Sequence, residues 1–183
     1  MIIRITARAD GHHIGGAFIS IGVFGGDVGV GIITPATFLE LPYVLGQDPF
    51  TIAIDATYNS QFGGDLNLVT QRADLAAVER DFELIANGSD KSVSASYCNQ
   101  QGNCATATDG SVDGARHQYA LTWDGNEIGV FFDDTLSTTA FTGTGPDIDG
   151  EVVRFGNPVT VGTASGLRGT IFGIRVFNDA LSE

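Results

Sequence analysis

Asp147, Asp149 and Glu151 are three acids at alternate positions, and alternate positions on a strand project to one face. Carboxylates arranged in that way could act as nucleophile and acid on a glycosidic bond. Gly150 interrupts the run, however, and Gly143, Gly145 and Pro146 precede it, which is the composition of a loop rather than of a strand lining a cleft. No catalytic carboxylate pair is therefore expected, and the chain reads as non-enzymatic. On a flexible loop the same oxygens suit calcium, which takes several oxygen ligands. Asp147, Asp149 and Glu151 are thus the candidate metal ligands, with a plain solvated turn as the alternative. No cofactor is required by this reading, and calcium is an optional ligand.

Other reactive residues offer less. Cys98 and Cys104 bracket Asn-Gln-Gln-Gly-Asn, a loop that could turn a hairpin and set the thiols opposite each other. That spacing allows a disulfide without requiring one, and no neighbouring Cys or His pair supports a metal site instead. His12 and His13 are adjacent, so on a strand they face opposite ways and make a poor ligand pair. The chain lacks the Gly-x-Ser-x-Gly sequence of a nucleophile elbow. The Gly-rich stretch at 25–31 lacks the Lys-Ser/Thr ending of a phosphate loop. Asn87-Gly88-Ser89 is a formal glycosylation sequon.

The elements that must position these residues are strands. Twelve Phe and many Val, Ile and Thr favour sheet over helix. Short apolar runs separated by Gly, Asn and Asp have the spacing of a sandwich. Strands are expected at 66–71, 81–86, 91–98, 104–108, 116–123 and 127–133. Asn87–Asp90 and Asp124-Gly125-Asn126 read as turns, and Ala73–Arg80 has a helical composition. In the last strand, alternation would turn Phe172, Ile174 and Val176 inward. Trp123 reads as a core anchor, with a sugar-stacking platform as the alternative. Tyr43, Tyr58 and Tyr97, near loops, are the other candidate platforms.

The length of 183 residues fits one domain, 1–183, and 43% hydrophobic residues suffice for a core. No apolar run is long enough to span a membrane. Acids number 22 against 9 basic residues, a formal charge of -13. That balance opposes nucleic-acid binding, which needs a basic footprint. The first residues alternate apolar and polar and show no secretory leader.

Two blocks carry a family resemblance. Residues 116–134 run from Arg-His-Gln-Tyr through Thr-Trp-Asp-Gly to Phe-Phe-Asp-Asp, and residues 169–183 contain Gly-Ile-Arg-Val-Phe-Asn-Asp-Ala-Leu-Ser. Together they resemble the laminin-G-like, concanavalin-A-like lectin and glucanase family, including its pentraxin branch. The resemblance implies an all-β fold, a two-sheet antiparallel jelly-roll sandwich, in which 36–43 and 50–57 look like the family's successive early strands. It implies a structural, hydrogen-bonded role for His117. Asp133-Asp134 falls where the family often has Val-Asp-Gly, which puts the usual tight turn in question. In pentraxin-like relatives acidic and amide loop residues hold calcium.

Residues 1–30 exceed the family pattern. They could add strands to the sandwich, since Ile3, Ile5 and Ala7 alternate with polar residues and 18–24 is apolar. Alternatively they form an attachment arm, in which Arg4, Arg8, His12 and His13 would dock on an acidic partner.

Two functions fit. The first is a structural or interaction protein on the surface of a larger assembly, a phage capsid decoration or tail-associated protein being the leading case. Its partners would be other protein subunits, of the capsid or of itself, and its location the virion surface. The second is a carbohydrate-binding, lectin-like module, calcium-dependent or not, that meets surface glycans outside the cell.

Overall fold

A computed structural model describes residues 6–9, 19–24, 27–32, 37–41, 48–58, 66–72, 80–87, 89–99, 103–142, 153–155 and 169–180. Every regular element among them is a strand. In chain order these are β1 (Thr6–Ala9), β2 (Ile19–Phe24), β3 (Asp27–Ile32), β4 (Thr37–Leu41) and β5 (Phe50–Tyr58). Next come β6 (Leu66–Arg72), β7 (Arg80–Ala86), β8 (Val93–Cys98), β9 (Cys104–Asp109) and β10 (Arg116–Trp123). The last four are β11 (Glu127–Phe132), β12 (Thr135–Ala140), β13 (Val153–Phe155) and β14 (Gly169–Phe177).

They form two antiparallel seven-stranded sheets, ordered β1-β4-β13-β6-β7-β8-β9 and β12-β11-β10-β5-β14-β3-β2. The all-β jelly-roll sandwich expected from the sequence is present. From the N-terminal segment, β1 takes one edge of the first sheet, and β2 with β3 takes one edge of the second. Of the residues proposed for an attachment arm, Arg8 lies in β1, while Arg4, His12 and His13 lie outside the described residues.

Register rows show how period-two patterning makes each sheet two-faced. In the first sheet Phe155, Val69, Leu84, Ala95 and Ala107 stand side by side and face the core. One residue along, Arg154, Thr70, Glu83, Ser96 and Thr106 form the outer row. In the second sheet Val130, Leu121, Ile52 and Val176 make an inner row. Burying such apolar side chains contributes roughly 1.5–3 kcal/mol each.

Aromatic rings join the sheets. Trp123 is 2% exposed, with its ring 4.9 Å from Tyr97, 6.2 Å from Phe82 and 6.1 Å from Phe141. It is a core anchor and not a sugar platform. At the far edges β9 packs across β11 and β12. There Ser137 donates to Asp109 (2.9 Å), and the Thr139 hydroxyl donates to the Thr106 carbonyl (2.9 Å). Two edge strands so tied are shielded from pairing with another chain.

The last strand departs from simple alternation. A bulge lies between Ile171 and Gly173 where β14 pairs with β5. The inward residues are therefore Ile171, which is 3% exposed, and Ile174 and Val176, which pack on the core. Phe172, expected inward, is turned out. Bulges re-aim a side chain in this way because one strand carries an extra residue that its partner does not match.

The turns also refine the sequence reading. The β7–β8 connection runs over 87–92, closed by Asn87 N–H to the Ser92 carbonyl (2.8 Å), with Lys91 at φ 66°. Asp133 and Asp134 do make a tight two-residue turn between Phe132 and Thr135, with Asp133 at φ 52°. Asp tolerates that left-handed conformation better than most residues. The helical composition at 73–79 falls outside the described residues, and Arg80 begins β7.

Candidate functional site

The outer face of β10, β5 and β14 carries the candidate site. Its central row, in register across the sheet, is Leu136, Phe131, Ala120, Ala53 and Arg175. Phe131 and Leu136 are half-buried, Ala53 and Ala120 are small, and Arg175 is exposed. Of this row, Ala53 and Arg175 line a trough. Neighbouring strands lie about 4.8 Å apart, so Phe131 and Arg175 stand roughly 14 Å from each other along the row.

The next row places Gln118 beside Asp55 and Asp55 beside Gly173. Arg116, on the same face of β10, reaches Asp55 through both ends of its guanidinium. Nε donates to Oδ1 at 2.7 Å and an Nη to Oδ2 at 2.6 Å. The same guanidinium lies 4.2 Å from the centre of the Phe172 ring. The ring is available to it because the bulge turns Phe172 outward. Ala53, Asp55, Arg116, Gln118, Phe172 and Arg175 line a depression of about 210 Å³.

A second depression of about 530 Å³ adjoins it, sharing Asp55, Arg116 and Gln118 and adding His117, Asp133 and Asp134. His117 Nδ1 lies 2.8 Å from Asp133 Oδ2, and Nε2 lies 2.9 Å from Asp113 Oδ1. Both ring nitrogens donate only in the imidazolium form. Partial burial pulls the His117 pKa down. The hydrogen bonds and charges of Asp113 and Asp133 outweigh it, and the net shift is upward. Asp113 is held below the usual carboxylate range, first by the Ala115 N–H and then by His117. Asp133 also accepts from the Gln118 N–H (2.9 Å) and donates its own N–H to the Gln118 carbonyl (2.9 Å). His117 is therefore a hydrogen-bonded clamp that fixes the β11–β12 turn beside the trough. Its nitrogens are already occupied and offer nothing to a metal.

The sequence-predicted residues fare differently. Asp147, Asp149 and Glu151 lie outside the described residues. Among the described residues, no group of three or more His, Cys, Asp and Glu could hold a metal ion. Cys98 and Cys104 stand opposite each other in the β8–β9 hairpin and are joined by a disulfide, with Cα atoms 4.1 Å apart. Tyr58 and Tyr97 are not platforms, being 1% and 0% exposed in the core, and Tyr43 lies outside the described residues.

The residues that sequence reasoning missed are Asp55, Arg116, Gln118, Phe172 and Arg175. One signal was present. Asp55 is the charged residue in the otherwise uncharged strand Phe50–Tyr58, opposite in phase to its core-facing Ile52, Ile54 and Ala56.

No family model matches the chain, and no curated protein matches it either. Solved structures do resemble it. One is of botulinum neurotoxin type C, whose cell entry depends upon interaction with two ganglioside molecules (TM-score 0.67, 9% identity, 98% of this chain and 44% of that one). Another is the binding domain of botulinum neurotoxin DC in complex with SialylT (TM-score 0.67, 9% identity, 98% and 44%). A third is Trypanosoma rangeli sialidase (TM-score 0.63, 15% identity, 84% and 26%). The chain spans less than half the length of these proteins, and at such identities the likeness is one of fold.

Proposed function

We propose that this domain is a non-enzymatic, lectin-like module that binds carbohydrate in the trough on the outer face of β10, β5 and β14. The observation that carries the reading is the side-chain set around Ala53. Phe172 and Arg116 supply a flat stacked surface, and Asp55, Gln118 and Arg175 supply directional donors and acceptors. Sugar sites combine apolar surface with a few placed polar groups in this manner. The concanavalin-A-like jelly roll agrees with it by analogy, and the sequence motifs resemble its laminin-G-like, pentraxin-related members.

The carboxylates at the site support binding over hydrolysis. Asp55 is tied to Arg116 through both oxygens, and Asp133 is tied to His117 and the Gln118 N–H. Neither is left as a free acid opposite a second carboxylate. Calcium dependence stays attached to Asp147, Asp149 and Glu151 and forms an optional part of the proposal. The Cys98–Cys104 disulfide favours an oxidising, extracellular setting.

One observation favours a second reading, an interaction protein on the surface of a larger assembly such as a virion. Phe177, at the end of β14, is 36% exposed, a large apolar group near the trough that a protein subunit could cover. The two roles are compatible, because a displayed module can bind host glycans.

The test is a glycan array probed with the purified chain, in calcium and again in chelator. Reproducible binding to a defined group of sugars is expected. An array without hits under both conditions, beside stable association with a shell subunit, would replace the first reading with the second.

A further inference from the structure

We infer that the trough selects a sugar carrying a single carboxylate, seated at Arg175, an inference that rests on the carbohydrate reading above. The two guanidiniums of the site are not equivalent. Arg116 has its charge answered by Asp55 at 2.6 Å and its plane fixed on Phe172. Arg175 lines the same depression from the neighbouring row, is exposed, and has no carboxylate partner among the described residues. A guanidinium presents a rigid fork that matches a carboxylate through two parallel hydrogen bonds.

The surroundings restrict the ligand further. The chain holds 22 acids against 9 basic residues, so Arg175 stands in a negative field. That field repels a polyanion at long range, whereas a single carboxylate in contact with Arg175 gains more than it loses. At the other end of the site Asp134 is exposed beside the second depression and can only accept hydrogen bonds from hydroxyls. The sugar therefore lies with its acid at β14 and its hydroxyl-rich end toward the β11–β12 turn. Gln118, between them, offers both a donor and an acceptor.

Calorimetric titration tests this with sialyllactose and a glucuronate-capped disaccharide, each beside its carboxyl methyl ester, and with a heparin oligosaccharide. At least one acid should bind about tenfold tighter than its ester, the factor for one charge-assisted contact. Arg175→Gln should bind acid and ester alike, with unchanged thermal unfolding. Heparin should not compete. Equal binding of acid and ester, an acid preference that survives in Arg175→Gln, or tighter binding of heparin would overturn the inference and leave the carbohydrate reading standing. Failure of every sugar and ester to bind would also overturn the inference, and only an array without hits would remove the carbohydrate reading with it.

Discussion

Arg116 lies 4.2 Å over the Phe172 ring, although the two residues stand on strands separated by β5. The contact needs two irregularities of the sequence to coincide. One is an aspartate, Asp55, in the outward phase of β5, which holds the guanidinium in place. The other is the bulge after Ile171, which brings Phe172 to the same face. Together they convert a plain sheet surface into a site with a flat wall.

Phe172→Ala should weaken binding to any sugar the domain takes by about tenfold, through loss of the stacked wall. It should leave the core intact, because Ile171, Ile174 and Val176 fill the inward positions. Arg116→Gln should behave alike. Its ion pair with Asp55 joins side chains that are 41% and 23% exposed, and such pairs contribute only about 0–1 kcal/mol to stability. Titration and thermal unfolding of both variants separate the two effects.

The His117 clamp predicts a pH dependence of stability. Its folded pKa is raised above the ordinary value of 6.5, so its contribution is fully present below that value and is lost as pH rises through the folded pKa. Asp113 acts in the opposite sense. Its contribution is present above the ordinary value of 3.8 and fades as pH falls through its lowered folded pKa. The melting temperature should thus decline as pH rises above 6.5, and His117→Gln should flatten that limb. A slope unchanged by His117→Gln would show that the clamp carries no linkage.

Much of the fold was legible because its signals are local. Alternation in Arg116–Trp123, the Asp124-Gly125-Asn126 turn and the buried Trp123 all follow from neighbours in the chain. The site was not legible because it is assembled by register. Asp55, Arg116, Phe172 and Arg175 come from three strands and form no motif in sequence. A bulge changes the phase of a strand without changing its composition, so Phe172 read as inward. Tyr58 and Tyr97 misled for a related reason. Both sit at or near strand ends, where exposure is expected, yet their phase sends them between the sheets.

Trp123→Ala should cost roughly 3–5 kcal/mol, since it empties the space between Phe82, Tyr97 and Phe141. Chemical denaturation reads this directly. The variant should unfold as a cooperative unit at lower denaturant.

The Cys98–Cys104 bond closes a short loop in a hairpin already paired by its backbone. The double variant Cys98→Ser with Cys104→Ser should lose roughly 2 kcal/mol by loop-entropy reasoning and still fold. Denaturation with and without reductant should show the same difference in the wild type and none in the double variant.

The most direct test of the central claim, that the outer face of β10, β5 and β14 is the sugar site, is titration of an array-identified glycan into wild type and Ala53→Trp. The substitution fills the trough floor from a position outside the core. Loss of binding with unchanged thermal unfolding is the predicted result. Undiminished affinity in a folded Ala53→Trp would contradict the account and place the sugar elsewhere on the molecule.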